Sequence, residues 1–227
     1  MNQIIEAFSN PENVARYTDG PTRMVPGYAG MQRMAMLLLA ERVPANGRVL
    51  VLGAGGGLEL KAFAEAQPDW TFDGVDPAAP MLDLARQVIG PAASRATLHL
   101  GTIDVAPPGP FDGATCLLTL HFLPVEERRR TLVEVRRRLK PGAPFIAAHL
   151  SLPEDASQRA SWLDRYMAFG VASGIEPEMA AGARTGIAEH LPILSPEQDE
   201  AALRDAGFSN VSLFYVGFTF RGWVAYA

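Results

Sequence analysis

Apolar runs along this chain alternate with stretches in which apolar residues recur every three or four positions. The runs have the length of buried strands and the periodic stretches have the length of helices. This alternation predicts an α/β fold built on a Rossmann-like, doubly wound and mostly parallel sheet. The predicted strands are 48–53, 71–76, 96–101, 112–120 and 144–150. The predicted helices are 29–43, 58–67, 80–89 and 126–139, and a Pro/Gly loop at 105–110 replaces a long third crossover helix.

The pattern changes after the fifth predicted strand. Residues 153–191 contain helical stretches with no strand between them, which predicts a helical insertion that either covers a pocket as a lid or only packs against the sheet. A helix at 196–206 follows, and then two β-rich runs that must pair antiparallel because their connection is short. These runs are 211–216 and 218–225. We therefore expect a single seven-stranded domain over 1–227, with an N-terminal helical arm at 1–45 and a C-terminal hairpin.

The first predicted strand ends in a glycine-rich turn. Val49–Leu52 is an unbroken apolar run, as expected for a strand covered on both faces. Four glycines follow within five positions, at 53, 55, 56 and 57. Glycine permits a tight strand-to-helix turn and lets a ligand contact the backbone, next to the free N–H groups of the following helix. The turn predicts a small-molecule pocket; a tight turn that binds nothing is the alternative.

An acid at the end of the second strand narrows the choice of ligand. Asp76 lies a little over twenty residues after Gly53, where it can accept hydrogen bonds from the ribose hydroxyls of a nucleoside. Capping the next helix is its alternative role. The turn has a G-x-G-x-G spacing, more compact than the G-x-G-x-x-G of nicotinamide sites. The C-terminal hairpin is also foreign to the dinucleotide fold, so the pattern disfavours an oxidoreductase.

These residues resemble the class I S-adenosylmethionine-dependent methyltransferases over nearly the whole chain. The resemblance implies that the glycine turn lies under the methionine end of S-adenosylmethionine, that Asp76 holds the ribose, and that residues after the third strand flank the adenine. It also implies that cofactor and substrate meet at Leu118–Leu123. The cofactor-binding residues that it indicates are Gly53, Ala54, Gly55, Gly57, Asp76, Pro77, Thr102, Ile103 and Leu117.

Within that family, the chain is similar to the carboxy-S-adenosylmethionine synthases. These enzymes use prephenate to make a carboxylated donor for modification of the tRNA wobble uridine. The similarity lies in Met24–Tyr28, Leu120–Leu123, Arg184 and the hairpin segment Phe218–Gly222. It implies that Tyr28 contacts the cofactor, that Arg184 pairs with the extra carboxylate, and that the protein is a homodimer. Packing of Tyr28 against the sheet and a solvated Arg184 are the alternatives.

Three positions depart from the synthase pattern. Val51 stands where an acid is usual two residues before the first glycine, and Thr102 and Leu117 replace an aspartate and an asparagine. Each change removes a polar contact with the cofactor. Three hypotheses follow: methyl transfer to a small-molecule acceptor, synthesis of carboxy-S-adenosylmethionine, and binding of S-adenosylmethionine without catalysis.

His121 is the one candidate for a general base, because unperturbed imidazole titrates close to neutral pH. A packing role is the alternative for a lone histidine on an apolar segment. Methyl transfer from a sulfonium depends mainly on alignment of the reacting atoms and exclusion of water. A base is needed only where the nucleophile must lose a proton, so the reaction does not require His121.

Composition restricts the partners and the compartment. The 227 residues carry a net charge of −5 with a pI of about 5.4, which disfavours binding of nucleic acid. The arginine-rich run at 126–138 is expected to be a solvated helix face, with an RNA-facing patch as the minor alternative. The single Cys116 and the scattered histidines predict no disulfide and no metal site. The sequence shows no secretion signal or membrane span, which predicts a cytoplasmic protein.

Overall fold

A single seven-stranded sheet organises the chain. The computed structural model describes residues 2–227, with side chains from Ile5 onward; Met1, the first residue of the predicted arm, lies outside the described residues. The strand order is β3-β2-β1-β4-β5-β7-β6, with β1 to β5 parallel and β7 and β6 antiparallel. The strands are β1 Arg48–Leu52, β2 Thr71–Asp76, β3 Ala96–Leu100, β4 Gly113–Leu117, β5 Pro144–Leu150, β6 Ser209–Gly217 and β7 Phe220–Tyr226. This order confirms the predicted α/β fold and its C-terminal hairpin.

Helices cover both faces of the sheet. The helices are α1 Asn2–Ser9, α2 Pro11–Arg16, α3 Gly20–Met24, α4 Tyr28–Ala40, α5 Leu58–Ala66, α6 Ala79–Ile89, α7 Val125–Arg137, α8 Ala156–Ala172, α9 Pro177–His190 and α10 Pro196–Asp205. Val49 and Val51 of β1 pack into the core under α4 and α5, whereas Leu50 and Leu52 pack into the core under α7 and α10. Because successive side chains of a strand point to opposite faces, burial of both faces accounts for the unbroken apolar run.

The fourth strand is shorter than predicted. We expected strand over 112–120, but β4 ends at Leu117 and a 3-10 turn follows over Leu120–Phe122. Leu118 has a φ of 59°, a left-handed conformation that cannot continue a strand and that is uncommon for a residue with a branched side chain. The apolar sequence after Leu117 therefore forms a loop at the carboxyl end of β4, and most of its side chains face the cavity there.

Two helical segments lie outside the alternating pattern. The N-terminal segment forms α1, α2 and α3 ahead of α4, and the segment after β5 forms α8 and α9. Met24 of α3 lies against Gly170 of α8, where a Cβ would be 3.0 Å from the methionine sulfur, so the two segments pack together. No helix within residues 2–227 is both long enough and apolar enough to cross a bilayer.

Candidate active site

A cavity of about 420 Å³ opens at the carboxyl ends of β1, β2 and β4. Strand order reverses between β1 and β4, because β2 and β3 lie on one side of β1 while β4 and β5 lie on the other. In open α/β sheets, ligands bind in the crevice outside the carboxyl ends of the strands at such a switch point. Leu52, Asp76 and Leu117, which end these three strands, all line the cavity.

The glycine turn holds bare backbone against the cavity. Gly53 has a φ of 78°, and its N–H donates to the carbonyl of Val75 at 2.8 Å. A Cβ on Gly55 would lie 2.6 Å from Oδ2 of Asp76, so only glycine allows this part of the turn to contact that carboxylate. Gly53 and Gly55 line the cavity. The backbone conformation therefore requires a glycine at position 53, and the close approach of Asp76 requires one at position 55.

Asp76 ties the end of β2 to the glycine turn. Its Oδ2 accepts from the N–H of Gly55 at 3.0 Å, and its Oδ1 accepts from the N–H of Ala78 at 2.9 Å. Burial raises the pKa of Asp76, and the two N–H donors partly offset that rise. A carboxylate has about four lone-pair sites, so two N–H partners leave acceptor capacity for a ligand. The predicted ribose-binding role is compatible with this geometry, whereas α6 has Ala78 at its N-cap and no side-chain cap from Asp76.

Most of the predicted cofactor residues meet in the cavity wall. Those in the wall are Gly53, Gly55, Asp76, Pro77, Thr102, Ile103 and Leu117. Ala54 and Gly57 are not in the wall: Ala54 is buried under the turn, and a Cβ on Gly57 would lie 2.7 Å from the Cα of Ala85. Gly57 is thus needed for the close packing of α5 on α6. Its predicted contact with a ligand is not what the geometry brings about.

The two residues that the synthase resemblance singled out lie away from the cavity wall. The Tyr28 hydroxyl accepts from Nε2 of Gln32 at 2.8 Å, and its ring packs against the core. Arg184 lies on α9, where its Nε donates to Oδ1 of Asp164 at 2.5 Å and its side chain is 37% exposed. The resemblance implied that this guanidinium pairs with the extra carboxylate of the donor. The rotation of α9 turns Arg184 toward α8 instead.

His121 lies in the cavity wall in a neutral form. The side chain is buried, and its Nδ1 accepts from the N–H of Leu150 at 3.4 Å. Burial, reinforced by His149 and Arg128, lowers the pKa of His121 well below its ordinary value. Since Nδ1 faces a backbone donor, the proton of the neutral ring belongs on Nε2. His121 is therefore suited to donate a hydrogen bond into the cavity, and the expected general base is not supported in this tautomer.

The sequence did not identify the individual residues in the rest of the wall, although the insertion at 153–191 was expected either to cover a pocket or to pack against the sheet. Its apolar part combines side chains of the N-terminal helices with side chains of the segment after β5 and of β7. These residues include Ile5, Phe8, Tyr17, Met24, Tyr166, Ile187, Leu191 and Phe220. Phe8 contacts Phe122 edge-to-face at 5.6 Å between ring centroids, so α1 closes over the loop that follows β4. For the N-terminal part of this wall, the sequence signal is the amphipathic character of α1.

Arg130 and Glu127, two charged side chains of the wall, are paired within the protein. Arg130 donates to both carboxylate oxygens of Asp104, at 2.6 and 3.0 Å, and also to Glu127. Apart from Arg130, the wall within the described residues contains no lysine or arginine. The cavity therefore offers an anionic ligand group no cation that is free of a protein carboxylate.

The arginine-rich helix is more neutralised than its sequence suggests. Arg129 and Arg137 pair with acids one turn away on α7. The expectation of a solvated face is wrong for Arg128, which is 1% exposed and donates to Asp199 of α10 at 3.1 Å and to the carbonyl of Pro192. Burial of a charged group requires such partners. Arg128 thereby joins α7 to α10 across one face of the sheet.

Comparisons with known proteins agree with this site. A family model described as a methyltransferase domain matches residues 50–145. The chain is 30% identical over 224 residues to a carboxy-S-adenosyl-L-methionine synthase of Actinobacillus succinogenes, covering 96% of this chain and 92% of that protein. A protein of the same name from Pasteurella multocida is 28% identical over 223 residues, with the same shares covered.

Solved structures share the fold at low sequence identity. The structure titled PigF with SAH has a TM-score of 0.69 at 18% identity and covers 99% of this chain and 62% of that one. An O-methyltransferase family protein from Burkholderia thailandensis has a TM-score of 0.64 at 16% identity, with 97% and 63% covered. The whole-length similarity and the shared fold lead to one assignment. The chain belongs to the class I S-adenosylmethionine-dependent methyltransferases, in the branch that contains the carboxy-S-adenosylmethionine synthases.

Proposed function

We propose that this enzyme transfers a methyl group from S-adenosylmethionine to a small, apolar and uncharged acceptor. One observation carries the proposal: the cavity beyond the glycine turn is walled by apolar side chains, and its one guanidinium is already held by two carboxylates. An anionic acceptor would find no protein cation in such a wall that is free to pair with it.

The donor side of the cavity fits S-adenosylmethionine. The bare backbone at Gly53 and Gly55 suits the methionine end, because a Cβ at either glycine would collide with Thr119 or Asp76. Asp76 retains acceptor capacity for ribose hydroxyls, while Thr102 and Ile103 provide the wall expected beside the adenine. When bound, the sulfonium supplies a methyl group that is already activated for in-line displacement.

The protein's contribution is then alignment and exclusion of water. Phe8, Met24, Tyr166 and Leu191 approach the cavity from two separate helical segments, so an acceptor would be enclosed by apolar groups. His121 presents its Nε2–H to the same space and can orient an acceptor oxygen through one hydrogen bond. A nucleophile that must lose its proton would pass it to solvent or to another group, since neutral His121 with Nδ1 already engaged is not the base.

Two measurements test the methyltransferase proposal. Mass spectrometry of the ligand that co-purifies should find S-adenosylmethionine or its demethylated product, and calorimetry should show that Asp76→Ala weakens donor binding at least tenfold. An acceptor screen with apolar phenols and amines should then give methylated products. Retention of the donor without turnover in any acceptor would favour a binding protein, and failure to bind the donor would refute the proposal.

Carboxy-S-adenosylmethionine synthesis is the second candidate, favoured by the whole-length similarity to proteins of that name. It requires a cation for the extra carboxylate, and Arg184 is the residue that the resemblance offers. If this function is correct, the co-purified donor is heavier by one carboxylate, and Arg184→Ala weakens its binding. Arg204→Ala is the matched control, because Arg204 is also exposed and also bonded to one acid, Glu200.

The remaining expectations from the resemblance belong to this second candidate. They are a homodimer and a link to the modification of tRNA; a cytoplasmic location and no direct contact with nucleic acid are expected from the sequence and its charge alone. Light scattering of the purified protein measures the first, and loss of wobble-uridine carboxymethylation in a deletion strain measures the link. A monomer that leaves this tRNA modification unchanged would remove the support for the synthase.

A further inference from the structure

A buried acid lies directly beneath the glycine turn. Glu59 is the second residue of α5, and its side chain points inward so that the residue is only 8% exposed. Its carboxyl accepts a hydrogen bond from the hydroxyl of Thr115 in β4. Carboxylates are almost never fully buried without a cationic partner, so the location of Glu59 calls for a physical explanation.

The acid lies beside the position where the sequence lacks one. Thr115 is the register partner of Val51 across the β1–β4 pair, and partners in neighbouring parallel strands point to the same face. The Glu59 carboxyl, bonded to Thr115, therefore occupies the face of the sheet to which Val51 points. Helix α5 thus returns a carboxyl group to the switch point of the sheet, behind the glycine turn; Glu59 does not itself line the cavity.

The groups around Glu59 carry no positive charge. Burial raises the pKa of the Tyr17 and Tyr28 phenols and of the Cys116 thiol in β4. The negative charge of Glu59 contributes to each of these rises, so all three groups lie close to it. All three groups are neutral at neutral pH. Tyr17 also lines the cavity and covers Gly56 of the turn, where a Cβ would lie 2.2 Å from its ring.

The other elements that pack on α5 add no cation at this end of the helix. Helix α6 faces Gly57 with Ala85, and Asp76 at the end of β2 adds a further acid. Arg95 donates to carbonyls at the opposite end of α5, including that of Ala64. Burial without a cation raises the pKa of Glu59 to about 8, so Glu59 is protonated at neutral pH when no donor is bound.

We propose that Glu59 is a positioning residue that becomes a carboxylate when the cationic donor binds, so that donor binding releases a proton to the solvent. The inference rests on the proposed function, because the donor supplies the missing positive charge. A nearby cation favours the charged form of an acid, and linkage then requires the donor to bind more tightly as the pH rises. After methyl transfer the sulfur is neutral, so Glu59 regains its proton and the product is held less tightly than the donor.

Calorimetry in two buffers of different ionisation enthalpy tests the proton release. The titrated ligands are S-adenosylmethionine and S-adenosylhomocysteine, whose sulfur atoms differ in charge. The wild type should release more protons with the first ligand than with the second at neutral pH. Glu59→Gln should abolish this difference and reduce the preference for the cationic ligand about tenfold, the effect of about one pKa unit. Glu65→Gln, an exposed acid on the same helix, should behave as the wild type.

A second variant covers the case in which Glu59→Gln does not fold. Thr115→Val removes the hydrogen bond that favours the charged form of Glu59, so the pH at which donor affinity rises should move upward. Equal proton release by wild type and Glu59→Gln, or an unchanged pH profile in Thr115→Val, would overturn the role of Glu59 alone. A wild type that binds neither ligand would overturn the proposed function and this inference with it.

Discussion

Replacement of Glu59 by glutamine should stabilise the ligand-free protein increasingly as the pH rises. The pKa of Glu59 is raised from 4.5 to about 8 in the folded chain, so between these values the folded state binds a proton that the unfolded state has lost. The free energy of unfolding of the wild type is therefore unaffected by Glu59 below pH 4.5, and it falls as the pH rises from 4.5 toward 8. Each pKa unit corresponds to about 1.4 kcal/mol. Burial of Glu59 therefore lowers the free energy of unfolding of the wild type by about 2 kcal/mol at pH 6 and by about 4 kcal/mol at pH 8.

Urea unfolding at several pH values measures this cost directly. The free energy of unfolding of Glu59→Gln minus that of the wild type should grow by about 2 kcal/mol between pH 6 and pH 8. In thermal scans of a chain of this length, the same change corresponds to about 4–8 °C. Glu65→Gln controls for the loss of one negative charge on α5, because its side chain is 67% exposed. Parallel pH profiles for wild type and Glu59→Gln would show that burial does not hold the proton on Glu59.

Three further predictions concern other parts of the molecule. Gly57→Ala should cost at least 2 kcal/mol of unfolding free energy, because its Cβ meets the backbone of α6 and its φ is 72°. Gly27→Ala, with φ of 67° and open space around it, should cost about 1 kcal/mol; equal losses would contradict the packing argument. Arg128→Met should cost about 3–5 kcal/mol in urea unfolding because it removes the guanidinium from the buried Asp199 carboxylate and leaves only His149 beside it. The exposed neighbour Arg129→Met should change stability by less than about 0.5 kcal/mol, and similar losses for both would mean that Arg128 is not buried. The NMR signals of His121 should stay at the neutral imidazole position as the pH falls through the ordinary imidazole pKa, because burial lowers the pKa of His121 well below that value; a titration near the ordinary pKa would refute the burial.

The elements of the sheet were largely predictable because their signals are local. Strands β2 and β5 begin and end where predicted, and the hairpin of β6 and β7 follows from its short connection. The fourth strand was predicted too long, because apolar residues continue past Leu117 while the backbone does not. The left-handed conformation of Leu118 leaves no signal in a run of leucines and threonines.

The donor side of the site was more predictable than the rest of the cavity. Gly53, Gly55 and Asp76 are neighbours at the ends of adjacent strands, so topology alone brings them together. The direction of a helical side chain depends instead on how the helix is rotated. In α9 this rotation places Arg184 against Asp164 of α8 and outside the cavity wall.

Burial of charge was the least predictable property. Arg128 is one of several arginines in a row, and its partner Asp199 lies 71 residues further along the chain. Glu59 likewise looks like an ordinary acid in the first turn of a helix. Its environment depends on β4, α4 and the N-terminal segment, which approach it only in the folded chain.

The division of the cavity wall between two kinds of segment makes donor and acceptor recognition separable. The methyltransferase family model spans residues 50–145, which include the glycine turn and Asp76. Phe8, Met24, Tyr166 and Leu191 come from outside that span. A chimaera that exchanges these outer helices with those of a relative would keep the donor half and receive a new acceptor half. On the proposed function, exchange of these outer helices would change the acceptor without altering the chemistry at the glycine turn.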